Sequence, residues 1–363
     1  MSSADFTPLK QGAVIGILGG GQLGRMLSVA ASRLGFKTHI YCPDANAPAS
    51  HVAAYQTIAP YEDLDSVRDF AESCDVVTYE FENIPEFTAK AALTGAPLRP
   101  GLDALITAQD RFAEKSFLRD KAKVPVTPFK TVDSVFDLKR AVKVIGLPAV
   151  LKTRRFGYDG KGQYILKSDA DIDTAWDAVG QQPSILEGFV GFKREISIIA
   201  AQSVNGEISA YPITENVHKN HILHISTAPA KGHDGKAKAI ARDILKELNY
   251  HGVVGVEFFQ MDNEDLIVNE IAPRVHNSGH WTQDAGCIDQ FELHIRAIAG
   301  WPLGDIQLKN GVEMTNLIGS DVDKIDSYAR EPDTFIHLYG KSEPRPGRKM
   351  GHINRIIKLP QDT

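Results

Sequence analysis

The pattern of apolar residues changes along the chain, and the first hundred residues predict strands that alternate with helices. An apolar run at positions 14–18 precedes a glycine turn, after which leucine and alanine recur at helical spacing at positions 23, 27, 31 and 34. Further strands are predicted in "KTHIYC" and "DVVTYE", with a helix in "LDSVRDFAESC" between them. This alternation indicates a parallel sheet that binds ligands at the carboxyl ends of its strands.

From about residue 120 the pattern predicts mainly antiparallel strands. "VPVTPF" and "GLPAVLKT" flank a predicted helix, "SVFDLKRAVKVIG", and "GQYILK" and "SILEGF" follow as strands. The longer alternating runs "REISIIAAQS", "EISAYPIT" and "HILHISTAPA" are typical of antiparallel sheets. Helices in "KAIARDILKELN" and "CIDQFELHIRAIAG" flank a predicted hairpin, "GVVGVEFFQMDNEDLIVNEIAPR". The fold class predicted from the whole pattern is α/β, and α+β overall.

Composition and charge narrow the class of protein. The 363 residues are 43% hydrophobic, carry a formal net charge of −6 and include three cysteines. The charge balance does not favour a nucleic-acid partner, and no apolar run reaches the ~20 residues that a membrane span needs. Few, widely separated cysteines argue against a disulfide framework. With no secretory h-region in "MSSADFTPLKQG", we expect a cytoplasmic enzyme.

The motif "GGGQLG" fits the dinucleotide-binding pattern, with glycines at 19, 21 and 24 after a strand and before a helix. Asp44 lies where a ribose-binding acid would stand in a nicotinamide enzyme, although it also suits a turn before "ANAPA". Glycines at such a position let any phosphorylated ligand approach the amides of a helix N-terminus. A nicotinamide dehydrogenase therefore remains one alternative at this point.

The stretch "RRFGYDGKGQ" follows an apolar strand that ends near Lys152. Its glycines at 157, 160 and 162 allow the loop to fold over a triphosphate, with Lys161 carried on it. No G-K-[ST] opens a helix here, so the motif is not a P-loop. A simple hairpin turn is the structural alternative.

Two glutamates in the predicted hairpin indicate a magnesium site. A two-residue turn at positions 263–264 would place Glu257 opposite Glu270, with Cβ atoms about 4.5–5.5 Å apart. Like charges at that separation repel, and a bound divalent cation removes the repulsion. Oxygen ligands suit Mg²⁺ that bridges phosphates. A slip of one residue would place Asn269 opposite Glu257 instead.

Two segments contain histidines for which the sequence predicts different roles. In "APRVHNSGHW", Arg274 can clamp a phosphate, and His276 can donate to an oxyanion or move a proton. In "HKNHILH" three histidines recur every third residue, which on a helix would suggest zinc. The flanking "ILHIS" predicts a strand, so His218 is expected to face a ligand rather than a metal.

Taken in order, these residues resemble the ATP-grasp ligases. The more specific resemblance, to the 5-(carboxyamino)imidazole ribonucleotide synthases of purine biosynthesis, is carried by "GGGQLGRM", "TYEFENIP", "RRFGYDGKGQ", "LEGFV", "ENVHKNHILHISTAPA", "NEIAPRVHNSGHWT", and "LYGK" with "GRKMGH". It covers nearly the whole chain beyond residue 12. The resemblance implies an ATP-grasp fold with a Rossmann-like parallel-sheet domain at 1–110, a small lid domain at 111–190 and a C-terminal domain at 191–363 with a small terminal subdomain.

The resemblance also implies a site for each ligand. Residues implied to hold ATP are Arg111, Lys152, Gly157, Tyr158, Asp159, Gly160, Lys161, Gly162, Gln163, Glu187, Gly188, Phe189, Val190, Glu195, His218, Asn269 and Glu270. Residues implied to hold the aminoimidazole substrate are Gly21, Gln22, Leu23, Glu80, Asn83, Tyr158, Arg274, His276, Asn277, Lys341 and Arg348. Glu257 and Glu270 are implied to bind magnesium, and catalytic roles fall to Tyr158, Asp159, Arg274, His276 and Lys341.

The reaction expected from the resemblance has two steps. Bicarbonate attacks the γ-phosphate of ATP to give carboxyphosphate, and the amine of 5-aminoimidazole ribonucleotide then takes the carboxyl group. A homodimer is also implied. The alternatives are an acyl-phosphate enzyme that uses formate, the dehydrogenase above, and a nucleotide-binding regulator without turnover, against which Lys152 and the paired glutamates argue.

Overall fold

The computed structural model describes residues 7–157, 160–232 and 234–359, and Tyr158 and Asp159 lie outside these ranges. Within them the chain forms three sheets. The strands are β1 (Val14–Leu18), β2 (Lys37–Tyr41), β3 (Tyr55–Thr57), β4 (Val76–Tyr79), β5 (Phe129–Val132), β6 (Ala149–Thr153), β7 (Gln163–Leu166), β8 (Ser184–Gly188), β9 (Arg194–Gln202), β10 (Ile208–Ala210), β11 (Thr214–Lys219), β12 (Ile222–Ala228), β13 (Gly252–Gln260), β14 (Leu266–Ala272), β15 (Gly311–Ile318), β16 (Thr334–Leu338) and β17 (Lys349–Ile357).

Ten α-helices are described within the same ranges. They are α1 (Gln22–Arg33), α2 (Leu64–Glu72), α3 (Glu86–Gly95), α4 (Leu102–Gln109), α5 (Arg111–Asp120), α6 (Val135–Ile145), α7 (Ile172–Ala178), α8 (Gly235–Glu247), α9 (Gln290–Ala299) and α10 (Ile325–Tyr328). None of these described helices has the length and apolar character needed to cross a bilayer.

The N-terminal sheet is parallel, as the alternating pattern predicts. Its order is β3-β2-β1-β4, with β1 paired to both β2 and β4. One face packs on α2 and α3 through a cluster that includes Phe70 and Tyr79. On the other face, α1 lies against α9, so this sheet and the large C-terminal sheet share a core that contains Leu27 and Phe291.

The smallest sheet is antiparallel and carries the glycine loop. Its order is β5-β8-β6-β7, and α6 and α7 cover one face with Leu138, Ala141 and Trp176. The predicted helix "SVFDLKRAVKVIG" is confirmed as α6, because Ser134 caps its N-terminus and Gly146, at φ 85°, ends it. Described residues of the loop between β6 and β7, among them Gly157, Gly160 and Lys161, line the adjacent cleft.

The largest sheet has nine strands in the order β14-β13-β9-β11-β12-β15-β17-β16, with β10 added beside β9. Helices α5 and α8 cover one face through Leu118 and Leu245. The last three strands continue this sheet. The division of the chain at residues 110 and 190 stays a prediction.

The hairpin formed by β13 and β14 differs from its predicted turn. Gln260 pairs with Leu266, and Met261 N–H donates to the carbonyl oxygen of Asp265 at 2.9 Å, so the loop consists of the three residues 262–264 rather than two, with Glu264 at φ 64°. That turn alone would shift the register by one. A bulge then inserts Asn269 between Val268 and Glu270, and the predicted pairing of Glu257 with Glu270 is confirmed.

Candidate active site

A cleft of about 470 Å³ lies where the three sheets meet, and it is lined by residues from each of them. From the small sheet come Lys152, Phe156, Gly157, Gly160, Lys161, Gln163, Glu187, Gly188, Phe189 and Val190. From the large sheet come Glu195, His218, Glu257, Asn269, Glu270, Arg274, His276 and Asn277, and from the N-terminal part of the chain come Gln22, Leu23, Asn83 and Arg111. Most of the predicted site residues therefore converge on one space.

The paired glutamates stand in the middle of this cleft. Burial and the neighbouring carboxylate raise the pKa of Glu257. Burial acts against ionisation of Glu270 as well, but Arg111 lowers the pKa of Glu270, and its Nη1 donates to Oε2 at 2.9 Å. The Arg111 guanidinium thus compensates the negative charge of Glu270. The Glu257 carboxylate instead has the Nε2 of His276 at 3.3 Å from its Oε1. A cation would complete the neutralisation of the pair.

The donor set fits Mg²⁺ on the side-chain atoms that the structure describes. Two carboxylates face each other across β13 and β14, and the buried Oδ1 of Asn269 accepts no hydrogen bond. All three are hard oxygen ligands, and Mg²⁺ is commonly held by one or two carboxylates plus substrate phosphates. In the described ranges no group of three or more His, Cys, Asp or Glu residues forms a separate metal cage.

A buried ion pair marks the side of the cleft formed by the small sheet. Lys152 Nζ donates to Glu187 Oε2 at 2.9 Å, and Lys115 Nζ lies 3.8 Å from the same oxygen. Burial alone would raise the pKa of Glu187, but these two ammonium groups lower it to about 2. The other oxygen, Oε1, is buried without a hydrogen-bond partner. It is an acceptor available to a ligand donor beside Gly188–Val190.

A second acid–base pair joins β9 and β11 beside the cleft. His218 Nδ1 contacts Glu195 Oε2, and the pairing of β11 with β12 has a bulge between Val217 and His218. Burial opposes the charged imidazole, but Glu195 raises the pKa of His218. His221 occupies the β11–β12 turn and His224 lies on β12, so the three histidines do not share a helical face.

The glycine loop approaches the β11–β12 turn closely. Gly160 has φ 77° and Gly162 has φ 70°, conformations that favour glycine. A Cβ added to Gly160 would lie 2.5 Å from His221 Cβ. The predicted contacts of Tyr158 and Asp159 lie outside the described residues.

The opposite side of the cleft carries Arg274 and His276. Arg274 Nε donates to Glu82 Oε2, which connects the large sheet to the segment after β4. His276 caps the 3₁₀ segment Asn277–Asp284, accepting from Ser278 N–H at Nδ1. Burial and the charge of Arg274 lower the pKa of His276 to about 3, so this imidazole is neutral.

Gly21 and Glu80, two predicted substrate residues beside the N-terminal sheet, do not line the cleft. Glu80 is buried, and its carboxylate accepts from the amides of Gly21 and Gly24 at the N-terminus of α1, the second at 2.7 Å. The site where a dinucleotide phosphate would bind is therefore filled by a side chain of the protein itself. Asp44 caps a turn through Asn46 N–H. The nicotinamide alternative is wrong for this helix terminus.

Lys341 and Arg348, two basic residues predicted to hold the substrate, are not among the residues that line the cleft. Lys341 Nζ donates to the carbonyl oxygen of Lys349 at 2.8 Å, and Arg348 Nη1 donates to that of Glu343 at 2.9 Å. Burial and the neighbouring Arg348 lower the pKa of Lys341 to about 8. Lys349 itself lines the cleft.

Several contributors were not predicted from the sequence. Glu82 lines the cleft and stands between two predicted residues in "EFEN", yet it was not assigned. Glu114 lines the cleft from α5, and the next residue, Lys115, is buried beside it. Their signal was available, because charges at 111, 114 and 115 share a helix face with apolar Leu118.

Models of known protein families match most of the chain. The ribonucleotide synthetase preATP-grasp domain matches residues 13–109, the ATP-grasp domain matches 117–291, and the phosphoribosylaminoimidazole carboxylase C-terminal domain matches 313–360.

Full-length relatives and solved structures agree with these matches. An N5-carboxyaminoimidazole ribonucleotide synthase of Brucella melitensis is 46% identical over 97% of this chain and 98% of its own. An N5-carboxyaminoimidazole synthetase of Staphylococcus aureus complexed with ADP is 36% identical, with a TM-score of 0.93 over 97% and 95% of the two chains. The Aspergillus clavatus synthase in complex with ADP and 5-aminoimidazole ribonucleotide is 30% identical, with a TM-score of 0.89 over 96% and 94%.

Proposed function

Because the chain belongs to the N5-carboxyaminoimidazole ribonucleotide synthase family, we propose that its cleft holds ATP and 5-aminoimidazole ribonucleotide side by side and uses ATP to attach a carboxyl group from bicarbonate to the amine. The protein is an ATP-dependent ligase of purine biosynthesis that carboxylates 5-aminoimidazole ribonucleotide. The observation that carries the assignment of the site is the Glu257–Glu270 pair, which shares one cleft with Lys152 and Arg274.

ATP is proposed to lie along the small sheet. The orphaned Glu187 Oε1 supports a base site beside Gly188–Val190, because a buried acceptor without a partner gains most from a ligand donor. Glu195, beside His218, is suited to ribose hydroxyls. Lys152, Arg111 and the loop from Gly157 to Gln163 then face the phosphates.

Glu257 and Glu270, with Asn269 Oδ1 beside them, would hold Mg²⁺. The ion supplies neutralisation of the β- and γ-phosphate charge that develops as the phosphoryl group moves. Arg111 compensates Glu270, and Lys152 adds a second cation on the nucleotide side. The chain's own cations therefore orient the triphosphate before transfer.

The aminoimidazole ribonucleotide is proposed to lie against Arg274, Asn277, Gln22, Leu23 and Asn83. Lys341 and Arg348 stand behind this end and are proposed to reach its phosphate, and Gly21 and Glu80 fix the helix terminus from which Gln22 and Leu23 project. Tyr158 and Asp159 keep their proposed contact with the imidazole ring.

The proposed reaction has two steps. A bicarbonate oxygen attacks the γ-phosphorus of ATP, and the bond between that phosphorus and the β-phosphate oxygen breaks. The products of this step are carboxyphosphate and ADP. The exocyclic amine then attacks the carboxyl carbon, the carbon–oxygen bond to phosphate breaks, and the amine proton passes to a base. The neutral His276 suits donation to a developing oxyanion, and Asp159 is proposed as the proton acceptor.

Location and assembly are also proposals. The three cysteines are unpaired, which suits a reducing cytoplasm. A homodimer is expected from the family resemblance, and sedimentation of the purified chain at micromolar concentration would test it.

The test of the proposed function is ADP release in bicarbonate-depleted buffer. We expect full release only when aminoimidazole ribonucleotide and bicarbonate are both restored, and no restoration by formate, which separates the formate-using alternative. Release that is indifferent to bicarbonate would overturn the proposal.

A further inference from the structure

Backbone N–H and C=O groups on the outer edge of β14 need hydrogen-bond partners that the sheet itself does not supply. β14 is an edge strand of the nine-stranded sheet, and its bulge at Asn269 turns backbone groups away from the β13 ladder. Buried backbone groups without partners are costly, and in the described part of the chain the outer edge of β14 pairs with another segment only at Val268, which bridges Val126 and donates to the carbonyl oxygen of Pro125 at 2.8 Å. Something outside the sheet must therefore satisfy residues 268–271.

Two ionisable side chains of α5 meet this demand. Lys115 Nζ donates to the carbonyl oxygens of Val268 at 3.1 Å and Asn269 at 2.6 Å. Glu114 Oε1 accepts from Ile271 N–H at 2.6 Å. The two side chains are only 1–2% exposed. Neighbouring residues of one helix thus bracket the bulge on both sides of Glu270.

The bulge determines which side chain faces Glu257. In the register set by the turn, where Phe258 pairs with Val268, an unbulged strand would place Asn269 opposite Glu257. Glu270 would then point to the other face, because side chains alternate along a strand. The extra residue restores the facing carboxylates and leaves Asn269 lining the same cleft.

Burying two ionisable side chains is a poor way to gain stability, since apolar residues of similar size pack as well or better. Their presence here is explained if a donor and an acceptor are needed at fixed points of the strand. We infer that Glu114 and Lys115 are positioning residues for the metal site, holding the Asn269 bulge so that Glu270 faces Glu257. This inference rests on the proposed role of Glu257 and Glu270 as metal ligands.

The experiment compares Glu114→Leu with Glu114→Gln. The amide oxygen of glutamine can still accept from Ile271 N–H, whereas leucine cannot. Mn²⁺ binding to the full chain loaded with ADP is followed by the loss of the free-ion electron paramagnetic resonance signal. Hydrogen exchange of the Ile271 amide is followed on the ligand-free protein, because it reports the bulge without metal or turnover.

We expect Glu114→Leu to raise the Mn²⁺ dissociation constant about 10- to 100-fold, the usual range for groups that orient metal ligands. Its Ile271 amide should exchange faster, while Glu114→Gln stays close to wild type in both measurements. Lys115→Met, which removes the donor to the two carbonyl oxygens, provides the second variant if Glu114→Leu fails to fold, and it should raise the same constant.

Leu245→Ala is the control for general destabilisation. Leu245 is fully buried on α8 in the hydrophobic cluster that also contains Val268 and Ile271, and its apolar side chain offers no donor or acceptor to the bulge. An equal rise in the Mn²⁺ constant in Leu245→Ala, or unchanged constants in Glu114→Leu and Lys115→Met, would overturn the inference. If Glu270→Gln leaves Mn²⁺ binding intact, it is the proposed metal site that fails.

Discussion

Arg111 Nη1 donates to Glu270 Oε2 at 2.9 Å, and this contact joins the first residue of α5 to the bulged strand β14. The same helix continues with Glu114 and Lys115, which bind the backbone on either side of Glu270. One helix therefore controls both the charge and the placement of the carboxylate that we assign to the metal.

Replacing Glu270 with alanine should lower turnover by about 100-fold or more while the protein stays folded, because a metal that stabilises transferring phosphate contributes several kcal/mol. Steady-state ADP release and circular dichroism measure the two effects. Glu264→Gln is the matched control, since Glu264 lies in the turn of the same hairpin and lines no part of the cleft. Turnover retained in Glu270→Ala would place the metal elsewhere.

Replacing Glu80 with alanine should destabilise the protein by about 1–3 kcal/mol, because the amides of Gly21 and Gly24 lose a buried acceptor. The midpoint of urea unfolding, followed by fluorescence, measures the change. Asp75→Ala is a useful comparison, because its carboxylate accepts a single exposed hydrogen bond from Val14 N–H. An unchanged midpoint in Glu80→Ala would contradict the capping role.

Replacing Gly160 with alanine should lower kcat/KM by about tenfold, since a residue with a Cβ costs roughly 1–2 kcal/mol at its left-handed conformation and would also meet His221. The double variant Gly160→Ala/His221→Gly should recover part of the loss by removing the steric contact. Gly235→Ala, where an added Cβ meets nothing within 4 Å, should behave as wild type. Full activity in Gly160→Ala would show that the loop need not approach this turn.

Substrate affinity should depend on pH through Lys341. Because burial beside Arg348 lowers its pKa to about 8, Lys341 is charged below that pH and loses its charge as pH rises through it. The KM for aminoimidazole ribonucleotide should therefore rise above pH 8, with the KM for ATP less affected. Lys341→Arg keeps the charge and should remove this alkaline rise. A rise of the same size in Lys341→Arg would assign the effect to another group.

The sequence predicted elements whose signals are local. The parallel strands, the capped helix α6 and the facing glutamates all follow from periodicity and residue type within short segments. The bulge at Asn269 was not predictable in this way, because it depends on Lys115, 154 residues earlier in the chain. The predicted two-residue turn was one residue too short. The pairing of Glu257 with Glu270 was still predicted correctly, because the bulge adds one residue to β14 and so offsets the longer turn.

Glu80 shows the same limit for the site. The glycine motif correctly indicated amides exposed at a helix N-terminus, but not what occupies them. Occupancy by Glu80 depends on β4 lying next to β1, which is a property of the sheet order rather than of either motif. Functional interpretation of such a motif therefore needs the neighbouring strand.

The central claim is that bicarbonate is phosphorylated before it reaches the amine. Turnover with ¹⁸O-labelled bicarbonate, followed by mass spectrometry of the released inorganic phosphate, tests it directly. An oxygen of bicarbonate that attacks the γ-phosphorus stays with phosphorus when the carbon–oxygen bond breaks. The account predicts one labelled oxygen in each phosphate released with product, and phosphate carrying no label from bicarbonate would contradict it.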